Sequence, residues 1–462
     1  MKQIPAGSQA SLEGTYGSLH RDARSADWSL VLRSIAIAVA LLAAIPLVAI
    51  PCWIATHRTD LATLDDSDLT ATRPPLTPGL NGFDHFVAAS ERLAWPSDAD
   101  DRLKAIRTGQ SSDPAWVREM IAKNAPALAA LRRGLDSAGF QIPASRTLEP
   151  SDPAFETFMS LQRLLKLAGA DARIRLARGD QVGAIERALL GMRVGRKLSG
   201  AEGVELLGMM FATADQGISI TDLEGIVREA RIDSDSARAL VSRLEAERWT
   251  PDDWKRMWAG EYRHLRGSLL EIGLDDAQMT PTDERGTAIG LVWKLIPADY
   301  LFQPMRTIAG VAELYRGRQH RSTLACRDAY VPPPSRDEWR LRVAKAIVSP
   351  NPAGGIILEI ATPNLDRFDQ KRCLLETKIA LLETLIAAKA HWHAHARLPE
   401  RLEDLVPSYL PELPRDGFTG APLRYAPDRK LAYSLGDDFV DVGGTEPADP
   451  SHMPEPSISL SF

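Results

Sequence analysis

The chain has 462 residues, 44% of them hydrophobic and 25% charged, and a formal net charge of -6. That length is enough for two or three domains with real cores, and the composition excludes disorder along the whole chain. It also argues against nucleic acid as a partner, because phosphate neutralisation needs a concentrated basic surface and no run of lysine and arginine supplies one.

Ile35 to Ile54, "IAIAVALLAAIPLVAIPCWI", contains no charged residue. As a helix it would span roughly 30 Å, so residues 34–56 read as a transmembrane helix, with Trp53 as an interfacial anchor and Pro46 and Pro51 bending its outer half. A cleaved signal is disfavoured, since the preceding segment is long for an n-region and no small-x-small cleavage site follows. Arg21, Arg24 and Arg33 precede the run, whereas Arg58 is followed by Asp60, Asp65, Asp66 and Asp68. The positive-inside rule then predicts a cytoplasmic tail over 1–33 and an extracytoplasmic remainder. The expectation is a single-pass protein of the inner membrane, with the lipid bilayer as partner through 34–56.

Residues 57–80 are acidic and proline-bearing without an apolar period, and read as a linker lifting the next domain off the membrane. A helical domain is expected over 81–350. Within it Phe158, Leu161, Leu165, Ala168 and Ala172 recur at helical steps, and "QVGAIERALLGMRVGRKLSG" repeats the pattern after Gly179, giving a helical hairpin. Two more helices are expected over 204–230 and 234–248. "TPDDWKRMWAGEYRHLRGSLLEIG" has a capped start at Thr250 and Pro251, then an aromatic stripe through Trp254, Trp258 and Tyr262. "TAIGLVWKLIP" is too short to span and reads as a buried segment.

A C-terminal module is expected over 351–445. The long helix from Cys373 has a broad apolar face at Leu375, Ile379, Leu382 and Ile386, and "PERLEDLV" follows as a short helix. Around "APDRK", Leu423 and Tyr425 alternate with polar neighbours, as do Leu431 and Tyr433, which predicts a small antiparallel hairpin. Residues 446–462 are a proline-rich tail whose "SISLSF" alternates like a strand. It could add to a sheet edge here or on a partner, or fray. Cys326 and Cys373 either pair or stay as buried thiols.

A long helix followed by "ARLPERLEDLVPSYLPELPRDGFTGAPLRY" and "AYSLGDDFVDVGG" resembles the periplasmic domain of the major pseudopilin of type II secretion systems, over roughly Lys371 to Gly444. The resemblance implies a helix packed on a small sheet, and a calcium ion held by the last loop. Asp438 would be a ligand, with Asp437, Asp441 and Ser434 as neighbours, since calcium takes six to eight oxygen donors. The processing signature of a pilin is absent before the apolar run, and Gly417 replaces the proline usual after the turn aspartate, so assembly as a pilin subunit is not expected.

Other constellations are thin. His391 and His395 share a helix face but lack a third ligand, and Glu261 with His264 forms one Glu-x-x-His pair where a di-iron bundle needs two. The fold expected is mainly α: one N-terminal transmembrane helix, an extracytoplasmic helical-hairpin domain and a small α+β C-terminal module. The function expected is a membrane-anchored structural or interaction protein with an envelope protein partner, in association with a secretion or pilus-like machine. The alternatives are a periplasmic hydrolase with its site in the helical domain, and a cell-wall glycan binder, which needs Trp254 or Trp258 exposed.

Overall fold

Residues 28–77, 79–143, 153–271, 297–329, 331, 334–445 and 452–462 are described by the computed structural model. Helices dominate. The N-terminal half holds α1 (Trp28–His57), α2 (Ser67–Thr70), α3 (Gly82–Glu91), α4 (Ala99–Arg107), α5 (Pro114–Lys123) and α6 (Ala125–Asp136). It continues with α7 (Pro153–Leu176), α8 (Gln181–Ala188), α9 (Leu190–Ser199), α10 (Leu206–Glu229), α11 (Ser234–Ala246) and α12 (Pro251–Glu271). Helix starts follow from local chemistry: Asp113 accepts from the Trp116 amide ahead of α5, and Asp180 accepts from the Gly183 amide ahead of α8. At α12 the Thr250 hydroxyl accepts from the Asp253 amide while Asp253 accepts from the Thr250 amide, a reciprocal cap. The segment expected as one helix after Gly179 divides at Leu189 into α8 and α9. "TAIGLVWKLIP" lies outside the described residues except for Pro297.

The membrane expectation is corrected. Among the described residues, no helix is long and apolar enough to cross a membrane. The apolar run does not stand as a separate span: it is part of α1, which also takes in Arg33 and carries Pro46 and Pro51 in its second half. The end of α1 is fastened to the folded body, with the His57 carbonyl accepting from Gln303 Nε2 at 2.6 Å. Asp60 then caps the helix Pro304–Arg321 by accepting from the amides of Met305 and Arg306, both at 2.8 Å. A transmembrane helix at 34–56, a lipid-bilayer partner there and single-pass inner-membrane placement with the tail 1–33 cytoplasmic are therefore withdrawn.

Residues 57–80 are likewise no free spacer. Leu69 is fully buried, Arg316 pairs with Asp68 at 2.7 Å, and Arg266 pairs with Asp66 at 2.7 Å. Asp66 and Asp68, two of the acidic residues that suggested a solvated linker, are ion-pair partners for arginines far along the chain.

Two large apolar clusters hold the molecule. The first gathers α3, α6, α7, α9 and α12 with Pro304–Arg321 around Trp254, Trp258 and Tyr262. The second joins α8, α10 and α11 to the C-terminal half of a 44-residue helix, Pro352–His395. Ala432, Ile458 and Leu460 of the C-terminal segment belong to this second cluster, so helical body and C-terminal module share one core. At roughly 1.5–3 kcal/mol for each fully buried large aliphatic side chain, that seam is a major source of stability.

The small sheet has order β1-β2-β3, formed by β1 (Arg424–Ala426), β2 (Leu431–Tyr433) and β3 (Ser457–Ser459). Both pairings are antiparallel, with Arg424 opposite Tyr433 and Leu431 opposite Ser459. Lys430 closes the hairpin with φ of 53°. The tail strand completes this chain's own sheet because Ile458 and Leu460 bury against it. "PERLEDLV" gives only one 3-10 turn, Leu402–Leu405. Cys326 and Cys373 are bonded, S–S 2.04 Å, stapling a short helix to the long one.

Candidate functional site

A cleft of about 680 Å³ opens beside α9 and α12. In "RVGRK", Arg193, Arg196 and Lys197 stand three and four residues apart, which sets them on one face of α9. Met192, Val194 and Leu198 bury the opposite face. Arg256 from α12 and Arg73 from the stretch before α3 complete the cationic lining. The acidic lining consists of Glu202 and Glu247.

The far wall is fixed by backbone and amide chemistry. Gln141 accepts from the Leu76 amide and donates to the Pro74 carbonyl, both at 2.9 Å, so it holds the Arg73-bearing stretch in place. The Ile142 amide donates to the Glu202 carbonyl at 2.8 Å, locking that wall to the end of α9. Gly203 turns the chain there with φ of 80°, and an added Cβ would lie 2.2 Å from the Ile142 carbonyl oxygen. Only glycine fits.

Asp253 organises the charges. Its fully buried carboxylate lies 3.0 Å from Arg196 Nη1 through one oxygen and accepts from Arg256 Nη2 through the other, while Thr250 holds it from behind. Two guanidiniums are thus oriented by one carboxylate, and among the described residues buried Arg256 Nε has no hydrogen-bond partner. Lys197 donates to the Ser137 carbonyl at 2.5 Å, and its ammonium lies 5.8 Å from the Phe140 ring centroid. Burial lowers its pKa; Asp136 opposes that shift and Arg193 adds to it. Burial raises the Glu247 carboxyl against the pull of Arg193, Arg196 and Arg243. The arrangement can attract, orient and partly desolvate an anion.

The residues singled out in the sequence occupy other places. Ser434 donates to Asp416 Oδ1 at 2.8 Å. Asp437 accepts from Gln370 Nε2 at 2.5 Å and from the Met453 amide at 3.1 Å. Asp438 accepts from the Val440 amide, and Asp441 accepts from the Tyr433 hydroxyl and the Gly443 amide. The loop carboxylates are engaged with separate donors, and among the described residues no group of three or more histidine, cysteine, aspartate or glutamate side chains is placed to hold a metal ion.

Asp416 is the organiser that the sequence reading passed over. It accepts from Thr377, Ser434, Thr419 and the Phe418 amide, tying the turn to the long helix. Gly417 explains itself in the same place, since a Cβ there would lie 2.4 Å from the Cys373 carbonyl oxygen.

Glu261 accepts from the Leu206 amide at 2.9 Å and so caps α10, with burial raising its carboxyl against that bond and His264. His264 Nδ1 lies 3.6 Å from a Glu205 oxygen. The rings of His391 and His395 sit 4.4 Å apart, with His391 Nδ1 3.0 Å from the Arg397 carbonyl. Trp254 and Trp258 are buried, so they form no platform for a glycan. No family model, characterised protein or solved structure matches this chain.

Proposed function

We propose that the protein is a structural and interaction protein whose helical body presents a preset cationic cleft to an anionic group on a partner. The observation that carries this reading is the convergence of Arg73, Arg193, Arg196, Lys197 and Arg256 on one cavity. Because Asp253 already orients two of the guanidiniums, little side-chain entropy remains to be lost on binding. The pseudopilin-like reading of residues 371–444 is supported by the long helix against a small antiparallel sheet. On that reading the partner is an envelope protein of a secretion or pilus-like machine.

The test is a titration of the purified chain with two labelled peptides, one rich in glutamate and one carrying phosphoserine, followed by fluorescence anisotropy at low and high salt. Binding that weakens with salt and disappears in Arg193→Glu/Arg196→Glu is the expected result. No binding, or equal binding by that variant, sinks the reading.

A further inference from the structure

We infer that the anionic group this cleft is built for is a doubly charged phosphate, carried by the partner as a monoester whose organic carrier covers the apolar part of the lining. The inference rests on the cleft being an anion site and adds the identity of the anion.

Three observations select phosphate over a carboxylate. The first is charge. Five cationic side chains face two carboxylates in the lining, and the Asp253 carboxylate behind them is shared between Arg196 and Arg256, so positive charge remains in excess. A single carboxylate would leave more of that excess uncompensated than a dianion does.

The second is donor geometry. A guanidinium offers five N–H groups in a rigid fork, and Asp253 takes only part of that capacity from Arg196 and Arg256. Several forks converging from different walls match the three peripheral oxygens of a phosphomonoester, where a planar carboxylate offers two.

The third is size and surface. A cavity of about 680 Å³ far exceeds one phosphate and falls in the range of small-molecule sites. Leu76, Leu135 and Phe140 also line it, giving an organic body apolar surface to cover.

The experiment is calorimetric titration of the full chain with phenyl phosphate, inorganic phosphate and benzoate at matched ionic strength, with phenyl phosphate repeated below and above pH 6. Phenyl phosphate is expected to bind one to one, at least about tenfold tighter than benzoate, and tighter above about pH 6, where the second proton is lost. Inorganic phosphate should bind more weakly than phenyl phosphate, because it has no body to bury. Arg193→Gln should weaken phenyl phosphate severalfold. Among the described residues its ion pair is the exposed one with Asp136, so the variant keeps the test open should Arg256→Gln unfold the chain around Asp253. Arg397→Gln, on an exposed pair with Glu400, is the control expected to bind normally. Benzoate binding as tightly as phenyl phosphate, or affinity indifferent to the ligand's second ionisation, overturns the phosphate assignment while the anion reading stands. Absence of binding by every anion overturns both.

Discussion

Tyr262 donates its hydroxyl to the Asp66 carboxylate at 2.5 Å, across 196 residues of chain. Arg266 donates to the same oxygen at 2.7 Å, so a residue from the stretch after α1 is the shared acceptor of two side chains of α12. This contact converts an acidic, linker-like segment into part of the body.

Removing it should therefore be expensive. Asp66→Ala leaves the buried Tyr262 hydroxyl and the Arg266 guanidinium without their acceptor, and is expected to lose about 3 kcal/mol in urea unfolding. Burial alone would raise the Asp66 carboxyl, but the hydrogen bonds from Tyr262 and Arg266 outweigh it and hold the pKa below its ordinary value. A depressed folded pKa contributes stability that is present above the unfolded value, about 3.9, and lost as pH falls through the folded one. Asp66→Ala should flatten that acid limb. A loss below about 0.5 kcal/mol would show that residues 57–80 do not depend on this contact.

What the sequence showed, and what it hid, divide along a physical line. Helix periodicity placed the stripe of α7 and the capped start of α12, because both are local signals. The ion pairs of Asp66 and Asp68, the shared core beneath the C-terminal module and the cationic cleft depend on residues far apart in sequence, where one strand of text carries no distance. A trace of the cleft was present in "RVGRK", whose three charges sit at helical spacing, but Arg256 and Arg73 join them only after folding. The aspartate loop shows the same limit: the sequence placed its oxygens close together but not the distant donors, such as Gln370 and the Met453 amide, that meet Asp437.

Glu383 gives a second handle, this time on the alkaline side. It is buried in the seam between α11 and the long helix, and Arg248 donates to it at 2.8 Å. Burial pushes its pKa up to about 8, opposed by Arg248 and reinforced by Glu245. The folded value lies above the unfolded one, so its contribution is full below the unfolded pKa and is lost as pH rises through about 8. Chemical unfolding at about pH 5 and about pH 9 should show wild type losing on the order of a few kcal/mol more than Glu383→Gln. Parallel behaviour of the two proteins would remove Glu383 as the cause.

The Cys326–Cys373 bond closes 47 residues of sequence between the short helix at Cys326 and the long helix. Constraining a loop of that length in the unfolded chain is worth roughly 4 kcal/mol in the chain-entropy model. Both cysteines are buried, so replacement by alanine adds little steric conflict. Cys326→Ala/Cys373→Ala should melt well below wild type and be indifferent to reductant, whereas wild type should fall toward the variant's midpoint when reduced. Equal midpoints for oxidised wild type and variant would show that the bond does not staple the fold.

The aspartate loop yields the last expectation, and it separates a hydrogen-bonded scaffold from a metal cradle. Calcium takes six to eight oxygens, whereas here both Asp437 oxygens accept, from Gln370 and the Met453 amide, one Asp441 oxygen accepts from the Tyr433 hydroxyl and the Gly443 amide, and Ser434 donates to Asp416. Glu455 meanwhile accepts from the amides of Val442 and Gly444. Metal-free chain should therefore keep its unfolding midpoint when calcium is added, since only a ligand of the folded state raises it. Asp438→Ala, which removes an exposed bond from the Val440 amide, should cost less than about 1 kcal/mol. Asp416→Ala, which removes four hydrogen bonds including the Thr377 bond from the long helix, should cost at least about 2 kcal/mol. A calcium-specific rise in the midpoint that Asp438→Ala abolishes would reverse this assignment, because the loop would then be trading its internal donors for the ion.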